Sequence, residues 1–567
     1  HLICDFLAQR PQTITSTRTL ARMMAGKAVL IKDVLANALK EDGDLATELT
    51  GQYAAFKKHL IHDITPEDFS DIYAETIAYG MFAARLHDET VDSFSSQQAL
   101  ELLPKSNPFL RNLFSYIAGP NLDDRIKWII DDLADVFRAC DLHGLMEDFG
   151  KLTGRNDPFL HFYEDFLKEY NPDKRKSRGV WYTPEPVVNF IVRAVDDVLQ
   201  KEFGLAEGLA DTSKVTIDWE TGEKDKKGKP VKIKKEVHKV QILNPTTGTG
   251  TFLAEVIKQV APRIKGVAEG MWSSYVEKDL IPRLHGFELL MASYAMCHMK
   301  LDMILTDLGY KPAKNPPRLS VFLTNSLEEG EAANQTLPFA QWLSNEVKEA
   351  NTIKRDMPIM CVIGNPPYNS SSTNKNEWIL RKLEAYKKGL GEKKINLDDD
   401  YIKFIRLAEH FVEKNGAGVV GVITSNSFLD GVTQRQMRKH LLETFSSIYI
   451  LNLHGGIKDG MDISGANQNV FDITQGVAIS IFVKNGIDHS NCGKVFYCDL
   501  FGARKEKYNH LWEANLSSQA FEELSVESPY YFFSRRTSSA SASYSDGFSV
   551  SDFFEVFSSG IQTKRDK

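Results

Sequence analysis

The stretch ILNPTTGTGTFLAEVI, residues 242–257, combines a short apolar run, a glycine-rich turn and a second apolar pattern. The first run predicts a strand that ends at Leu243, and the pattern after it predicts a helix that begins near Thr251. Gly248 and Gly250 allow a sharp turn and a close approach of the backbone to a ligand. The N-terminus of the helix adds unpaired N–H groups. The stretch therefore predicts a strand–turn–helix unit with a ligand at its turn, although such turns also serve purely structural roles.

Two common phosphate-binding motifs are excluded at this turn. No Gly-Lys-Ser or Gly-Lys-Thr follows it, so it is not a P-loop, and no Walker A match occurs elsewhere in the chain. The spacing of its glycines also departs from the GxGxxG fingerprint of dinucleotide-binding proteins.

Six further apolar runs, each bounded by Gly, Pro or Asn, follow between Gly179 and Lys484: RLHGFEL, LSVFLTNSL, PIMCVIGNPP, GAGVVGVITSNSF, SSIYILNLHG and GVAISIFVK. Helical patterns fill the gaps between them, which is typical of a mostly parallel sheet with crossover helices.

The sequence pattern of residues 1–170 instead predicts helices. In TPEDFSDIYAETIAYGMFAARL, Thr65 can cap a helix that has Pro66 at its first position. The chain is thus predicted to be an α/β domain preceded by an all-helical domain.

Composition constrains the fold and function of the chain less than these sequence patterns do. The chain has 567 residues, a net charge of −8 and six cysteines. The cysteines form no matched CxxC pairs, so we predict neither a metal site nor disulfides, and a reducing, cytoplasmic location. No apolar run is long enough to cross a bilayer, and no signal-peptide pattern is present. Because the chain begins without methionine, we expect it to be part of a longer polypeptide.

A lysine-rich stretch interrupts the strand pattern at residues 218–239. Its near-alternating valines and isoleucine predict a β-hairpin insertion. Lys232, Lys234 and Lys235 are candidates for contacts with a phosphate backbone. The alternative is a hairpin whose charges are simply solvated.

Glu288 closes the second predicted strand of the α/β domain. One carboxylate at this position can accept hydrogen bonds from both hydroxyls of a ribose. An ordinary surface glutamate is the alternative. Together with the glycine-rich turn, however, Glu288 favours a ligand of nucleoside shape.

The stretch VIGNPPYNSSS, residues 362–372, places Asn365-Pro366-Pro367-Tyr368 directly after an apolar strand. The prolines stiffen the loop and hold Asn365 in an extended conformation. The Asn365 side-chain oxygen and the Pro366 carbonyl can accept both hydrogens of an aromatic amino group, which localises its lone pair on nitrogen. Tyr368 offers a face on which a base can stack. This combination suits methylation of an exocyclic amine.

These motifs resemble the S-adenosylmethionine-dependent amino-methyltransferases of DNA of the γ order, over roughly residues 179–484. Three stretches are similar in sequence to the methyltransferase region of Type ISP restriction-modification enzymes: YTPEPVVNFIVRAVDDVL, LNPTTGTGTFLAEVI and NVFDITQGVAISIFV. The resemblance implies a Rossmann-like methyltransferase fold with a mostly parallel seven-stranded sheet. It also implies N6-adenine methylation in double-stranded DNA as the activity.

The resemblance assigns roles to single residues. The catalytic residues are Asn365, Pro366, Pro367 and Tyr368, and Phe471 packs on the flipped target base. S-adenosylmethionine is contacted by eleven residues: Tyr182, Thr183, Pro184, Asn244, Thr246, Gly248, Gly250, Thr251, Phe252, Glu288 and Asn325. Many relatives carry Asp where Asn244 stands, so the charge expected to face the cofactor is missing here.

The resemblance also implies three domains: a helical coupler at 1–170, the methyltransferase at 171–500, and a connector with the start of a target-recognition domain at 501–567. A nuclease and an ATP-driven motor are expected in the longer protein. Three alternatives stay open from the residues: N4-cytosine methylation, methylation of a protein glutamine, and a catalytically silent DNA-binding or coupling module.

Overall fold

A computed structural model describes residues 14–535 of the chain, with gaps. The gaps are residues 44, 46, 87–93, 96–98, 100–110, 112–113, 116–121, 143, 146–157, 171–182, 226–228, 330–337, 370–371, 373, 393–396, 457–466 and 487–492. In the part of the chain that is described, no helix is both long and apolar enough to cross a membrane.

Helices dominate the first part of the described chain and alternate with strands after it. The helices are α1 Thr17–Asp42, α2 Glu48–His59, α3 Pro66–Leu86, α4 Asp124–Arg138, α5 Pro158–Tyr170, α6 Glu185–Lys201, α7 Thr251–Ala268, α8 Trp272–Tyr275, α9 Met291–Asp307, α10 Pro338–Asp356, α11 Glu377–Lys387, α12 Asp400–Asn415, α13 Arg435–Thr444 and α14 Arg504–Glu513. As predicted, α3 starts at Pro66, and the Thr65 hydroxyl accepts a hydrogen bond from the Asp68 amide at 3.1 Å. Helix α3 packs against α9, and α2 packs against α10.

The strands form one hairpin and one large sheet. They are β1 Lys214–Lys224, β2 Pro230–His238, β3 Gln241–Asn244, β4 Leu284–Glu288, β5 Ser320–Leu323, β6 Ile359–Gly364, β7 Gly418–Ser425, β8 Ser447–His454, β9 Val477–Lys484, β10 Lys494–Asp499 and β11 Glu522–Leu524. The order in the sheet is β11-β10-β8-β9-β7-β6-β3-β4-β5. Strands β3 to β7 run parallel to one another, and β9 runs antiparallel between β7 and β8.

The mostly parallel α/β fold is confirmed, and all seven predicted apolar runs are strands. The predicted number of strands is corrected, because the sheet has nine. The extra strands are β10, which pairs with β8, and β11, which pairs with β10. They were missed because both strands are only partly buried, so their sequences mix polar and apolar residues and lack the continuous apolar run of a strand buried on both faces.

Helices cover both faces of the sheet. One buried cluster joins β-strand side chains to α6, α7 and α9, and continues into the helical domain. A second cluster lies on the opposite face and joins the sheet to α11, α12 and α13. The strands read as continuous apolar runs because both of their faces are buried.

The predicted hairpin begins at Lys214 rather than at 218, and its strands pair antiparallel. Each of its three candidate lysines has a neighbour on the facing strand: Lys234 Nζ lies 2.6 Å from Asp218 Oδ1, Lys232 Nζ lies 3.4 Å from Glu220 Oε1, and Lys235 Nζ lies 3.5 Å from the centre of the Trp219 ring. These pairings favour the solvated hairpin, since carboxylates beside the lysines reduce the local positive potential. Contact of these lysines with a phosphate backbone stays a prediction.

Residues 501–535, the described part of the segment predicted at 501–567 as a connector and start of a recognition domain, pack on the sheet domain. Helix α14 lies against α6, and the Arg193 guanidinium of α6 donates to the Leu511 and Ala514 carbonyls at 2.6 and 2.8 Å. Phe533 is fully buried in the second core cluster. The rest of the predicted connector and start of the recognition domain, residues 536–567, lies outside the described residues.

Candidate active site

The candidate residues gather at one edge of the sheet. Strands β3, β4, β5 and β6 are parallel neighbours, so their carboxyl ends meet there. The strand ends carry Asn244 (β3), Glu288 (β4) and the loop that follows Gly364 (β6). Asn325 follows β5 by two residues. Open α/β sheets bind ligands at this edge, so the fold places the predicted site in the expected position.

The glycine-rich turn adopts a backbone that only glycine adopts without strain. Gly248 has φ +56° and Gly250 has φ +84°. A Cβ at Gly250 would lie 2.6 Å from Cys297 Sγ, whereas a Cβ at Gly248 would meet no atom within 4 Å. Gly250 is therefore required for packing of α7 on α9. Gly248 instead faces open space, as a ligand-facing turn requires.

Glu288 is tied to the turn. Its Oε2 accepts from the Gly248 amide at 2.7 Å, and its Oε1 accepts from the amides of Leu289 and Leu290 at 2.9 and 2.8 Å. Burial raises the pKa of Glu288 to about 7, although the three amides lower it. A carboxylate that offers about four lone-pair sites keeps capacity for a ligand hydroxyl. The structure therefore joins Gly248 and Glu288 in one site.

Asn244 shapes the same turn. It is fully buried, and its Oδ1 accepts from the Thr246 amide at 3.0 Å. An aspartate could make this bond equally, so the exchange to Asn leaves the turn intact. The Asn244 Nδ2 has no hydrogen-bond partner among the described residues. A buried donor without an acceptor costs about 1–3 kcal/mol, which an acceptor group on a ligand would offset.

The Asn365 amide is held from both sides. Its Nδ2 donates to Thr183 Oγ1 at 3.0 Å, and its Oδ1 accepts from the Tyr368 hydroxyl at 2.8 Å. Burial raises the pKa of Tyr368, so its hydroxyl stays a donor. An amide oxygen has two lone pairs, so it can accept from more than one donor. Asn365 is only partly buried, so a substrate amine can reach it.

The loop at 365–368 and the glycine-rich turn are in contact. The Thr246 hydroxyl donates to the Asn365 carbonyl at 3.3 Å. A Cβ at Gly364 would lie 3.0 Å from Asn244 Oδ1 and 3.1 Å from Thr246 Oγ1. The two motifs, which are separated by over a hundred residues in sequence, therefore form a single site. Had they lain apart, the interpretation of both would have failed.

A group of residues that we did not predict supports the segment after Tyr368. Asp399 Oδ1 accepts from the Asn369 amide at 3.0 Å. The buried Lys403 ammonium donates to Ser372 Oγ and to the Asn374 carbonyl, both at 2.7 Å. The Ser372 hydroxyl also donates to Asp400. The acidic run at the start of α12 is the sequence signal that could have indicated this support. Its proximity to the loop, however, appears only in the folded structure.

The remaining candidates are placed as follows. Phe252 and Phe471 are each 3% exposed. Pro184 precedes α6 as its N-cap, and Thr251 begins α7 and accepts from Lys300 Nζ at 3.2 Å. Asn325 Oδ1 accepts from the Leu327 amide at 3.1 Å. Tyr182 lies outside the described residues. The assigned roles of these residues stay predictions.

One group of possible metal ligands occurs in the described part of the chain, formed by Glu409, Glu413 and His440. Arg406 Nη1 lies 3.1 Å from Glu409 Oε2 and 3.0 Å from Glu413 Oε2. A guanidinium between the two carboxylates already supplies the positive charge, so this group carries no argument for a metal ion.

Two family models match parts of the chain. The Eco57I restriction-modification methylase family matches residues 300–457, which include the catalytic loop. The N-6 DNA Methylase family matches residues 154–208, which include Thr183 and Pro184. Both matches confirm the resemblance to restriction-modification methyltransferases that the motifs predicted.

Known proteins agree with these matches. The Type II methyltransferase M.BstVI of Geobacillus stearothermophilus is 22% identical over 220 residues, which cover 39% of this chain and 34% of that protein. The chain thus spans about a third of the curated relative that it matches.

Two solved structures share the fold. The ATP-dependent Type ISP restriction-modification enzyme LlaBIII bound to DNA matches with a TM-score of 0.67 and 22% identity, over 92% of this chain and 33% of that chain. The DrdV–DNA complex matches with a TM-score of 0.66 and 21% identity, over 93% of this chain and 47% of that chain. At this identity the likeness shows the fold, and the chain spans less than half of either protein.

Proposed function

We propose that the chain is the methyltransferase part of a restriction-modification enzyme and transfers a methyl group from S-adenosylmethionine to N6 of a flipped-out adenine in double-stranded DNA. The contact between the Asn365 loop and the glycine-rich turn carries the proposal, because a transferase needs donor and acceptor sites side by side. The longer protein is proposed to bear the nuclease and the ATP-driven motor. The described cysteines, Cys140, Cys297, Cys361 and Cys498, are free thiols, in keeping with a reducing cytoplasm.

The site fits S-adenosylmethionine. Gly248 leaves room at the turn, the Glu288 carboxylate lies beside it, and the Asn244 Nδ2 is a buried donor without an acceptor among the described residues. Ribose hydroxyls would donate to Glu288, and the side chain of Asn325 lies in the segment proposed to contact the adenine ring. When bound, the cofactor supplies a methyl group on a sulfonium.

Asn365 and Pro366 act on the acceptor. Asn365 Oδ1 and the Pro366 carbonyl accept the two hydrogens of the target amine and localise its lone pair on nitrogen. Preorganised acceptors of this kind lower the barrier without reorganisation during the reaction. No strong general base is required, because the methylated amine becomes acidic and releases its proton afterwards. The target base must leave the helical stack to reach this loop.

Adenine is favoured over the alternatives. A cytosine N4 or a glutamine amide offers the same two hydrogens, but one matching family is described as an N-6 DNA methylase. The silent module rested on the charge that Asn244 lacks; the Asn244 side chain nevertheless keeps its hydrogen bond to the Thr246 amide, so the turn retains its shape. Transfer of tritiated methyl groups to unmethylated phage DNA, compared with transfer to protein, tests the proposal; digestion of the product to nucleosides identifies the base. Label in protein alone would overturn it.

Thr183 is expected to orient the catalytic amide. Thr183→Val keeps the shape of the side chain but removes the acceptor for Asn365 Nδ2. We expect kcat to fall roughly tenfold, since one hydrogen bond is worth about 1 kcal/mol or more, whereas Thr183→Ser retains activity. Steady-state kinetics and calorimetric titration with S-adenosylmethionine distinguish this role from a cofactor contact. A loss of cofactor affinity at unchanged kcat would contradict it.

Cofactor binding is expected to depend on pH through Glu288. In the free protein, burial holds the pKa of Glu288 at about 7. Ribose hydroxyls donate to the ionised carboxylate, so the cofactor binds that form more tightly and lowers its pKa. Affinity should therefore be constant above pH 7 and decline below it, by up to roughly tenfold per pH unit. Calorimetry between pH 6 and 8 measures this, and Glu288→Gln should abolish the dependence.

A further inference from the structure

Four aromatic rings connect the catalytic loop to the last described segment of the chain. The ring of Tyr368 meets the edge of Tyr401 with centroids 6.4 Å apart at 89°. Tyr401 lies 6.4 Å from Phe428 at 50°, and Phe428 lies 6.4 Å from Phe533 at 83°. Contacts at these distances fall within the range of favourable aromatic pairs. We call Tyr368, Tyr401, Phe428 and Phe533 the aromatic row.

Hydrogen bonds fix the middle of the row. The Tyr401 hydroxyl lies 2.9 Å from Ser427 Oγ, and Ser427 Oγ accepts from Ser425 Oγ at 2.9 Å. Tyr368 Oη lies 3.3 Å from the Ile423 carbonyl of β7. The orientation of Tyr368 is therefore set by β7 and by the turn that follows it.

Arg438 holds the far end of the row in place. It is fully buried on α13, and its guanidinium donates to four backbone carbonyls. Two belong to the turn after β7, Phe428 at 2.7 Å and Gly431 at 2.8 Å; two belong to the C-terminal segment, Tyr530 at 2.5 Å and Tyr531 at 2.7 Å. The five donors of a guanidinium in fixed geometry suit such a bridge.

The C-terminal segment is further tied to the same turn. The Phe533 amide donates to the Leu429 carbonyl at 2.8 Å, and the Phe533 side chain is fully buried. Residues 530–533 thus close the second core cluster directly behind the aromatic row. At the other end of the row, the Tyr368 hydroxyl donates to Asn365 Oδ1 at 2.8 Å, so the row ends at the proposed acceptor of the target amine.

We propose that Phe533 and Arg438 are positioning residues of methyl transfer, which hold Tyr368, and through it Asn365 Oδ1, in the orientation that the target amine requires. This proposal rests on the proposed function. It makes the segment at 530–533 part of the active-site support, rather than a passive link to the residues that follow. Because neither residue touches substrate or cofactor, the loss should appear in kcat and not in binding.

The test compares Phe533→Ala with a matched control in the full-length protein. Phe445→Ala also removes a buried ring from the second core cluster. Phe445, however, lies just before the amino end of β8, whereas the candidate site lies at the carboxyl ends of the parallel strands. Its ring packs on Phe482 at 5.2 Å and takes no part in the aromatic row. Both variants should lower the melting temperature, because both create a cavity. Methyl transfer to unmethylated phage DNA is then measured at a temperature at which both are folded.

Phe533→Ala is expected to lower kcat about tenfold or more, since small displacements of catalytic groups are costly, with KM for S-adenosylmethionine and DNA unchanged. Phe445→Ala should retain kcat within about twofold. Equal effects of the two variants on kcat, or a normal kcat for Phe533→Ala, would overturn the proposal. If Phe533→Ala does not fold, Phe533→Leu and Arg438→Lys are compared with Phe445→Leu by the same criteria. A wild-type protein that transfers no methyl group to DNA would instead refute the proposed function.

Discussion

Asn365→Ala is expected to abolish methyl transfer, with kcat reduced by about 10³-fold or more. The substitution removes one of the two acceptors of the target amine, and loss of a single preorganised hydrogen-bonding group at a reacting centre costs about 10²–10³. It also leaves the Tyr368 hydroxyl and Thr183 without the amide that they contact. The Asn365 side chain is not assigned to the cofactor, so the Kd for S-adenosylmethionine should change by less than about threefold.

Tritium transfer under single-turnover conditions measures the rate for Asn365→Ala, and calorimetry measures the Kd. Asn415→Ala serves as the control, because Asn415 ends α12 just before β7 begins, at the edge of the sheet opposite the site. Its amide donates to the Ala417 carbonyl at 2.7 Å, so the control also removes a partly buried hydrogen bond. Near-normal turnover by Asn365→Ala would show that the loop is not catalytic.

Glu288→Ala is expected to weaken S-adenosylmethionine binding by one to two orders of magnitude. Hydrogen bonds to a charged group contribute about 1.5–3 kcal/mol, and about 1.4 kcal/mol corresponds to a tenfold change in Kd. The variant also removes the acceptor of the Gly248 amide, which loosens the glycine-rich turn. The rate at saturating cofactor should fall much less than the affinity does.

Glu277→Ala is the matched control for this variant. Glu277 Oε1 accepts from the Ala313 amide at 2.8 Å and from the Tyr310 hydroxyl at 3.0 Å, so its loss also frees backbone and side-chain donors. Glu277 lies before β4 rather than at its carboxyl end. Calorimetric titration of both variants, after thermal unfolding shows that they are folded, separates the two roles. Equal Kd values for the Glu288 variant and the wild-type protein would refute the assignment of Glu288.

Much of the fold follows from local patterns. Strands β3 to β9 are apolar runs bounded by Gly, Pro or Asn, and each was predicted because a strand buried on both faces needs apolar residues at every position. Helix α3 was predicted from its cap at Thr65 and its apolar period. Strands β10 and β11 are only partly buried, which permits polar residues and weakens the pattern.

The candidate site, like the fold, was predictable only in part from the sequence. The residue types in the turn at 244–251 and in the loop at 365–368 were sufficient to predict a strand–turn–helix unit and a loop after a strand, because backbone restriction by glycine and proline is local. The partners of these residues were not predictable. Thr183 next to the Asn365 amide, Lys403 beneath the following segment, and Phe533 at the end of the aromatic row all lie far from their partners in sequence.

Local chemistry therefore determined the class of fold, the cofactor-like turn and the catalytic loop. The folded chain decided which distant side chains contact that loop, and it packs residues 530–533 against the turn after β7. The physical reason is that such contacts depend on how elements pack around the sheet. A hydrogen bond such as that from Arg438 to the Tyr531 carbonyl leaves no periodicity in the sequence of either partner.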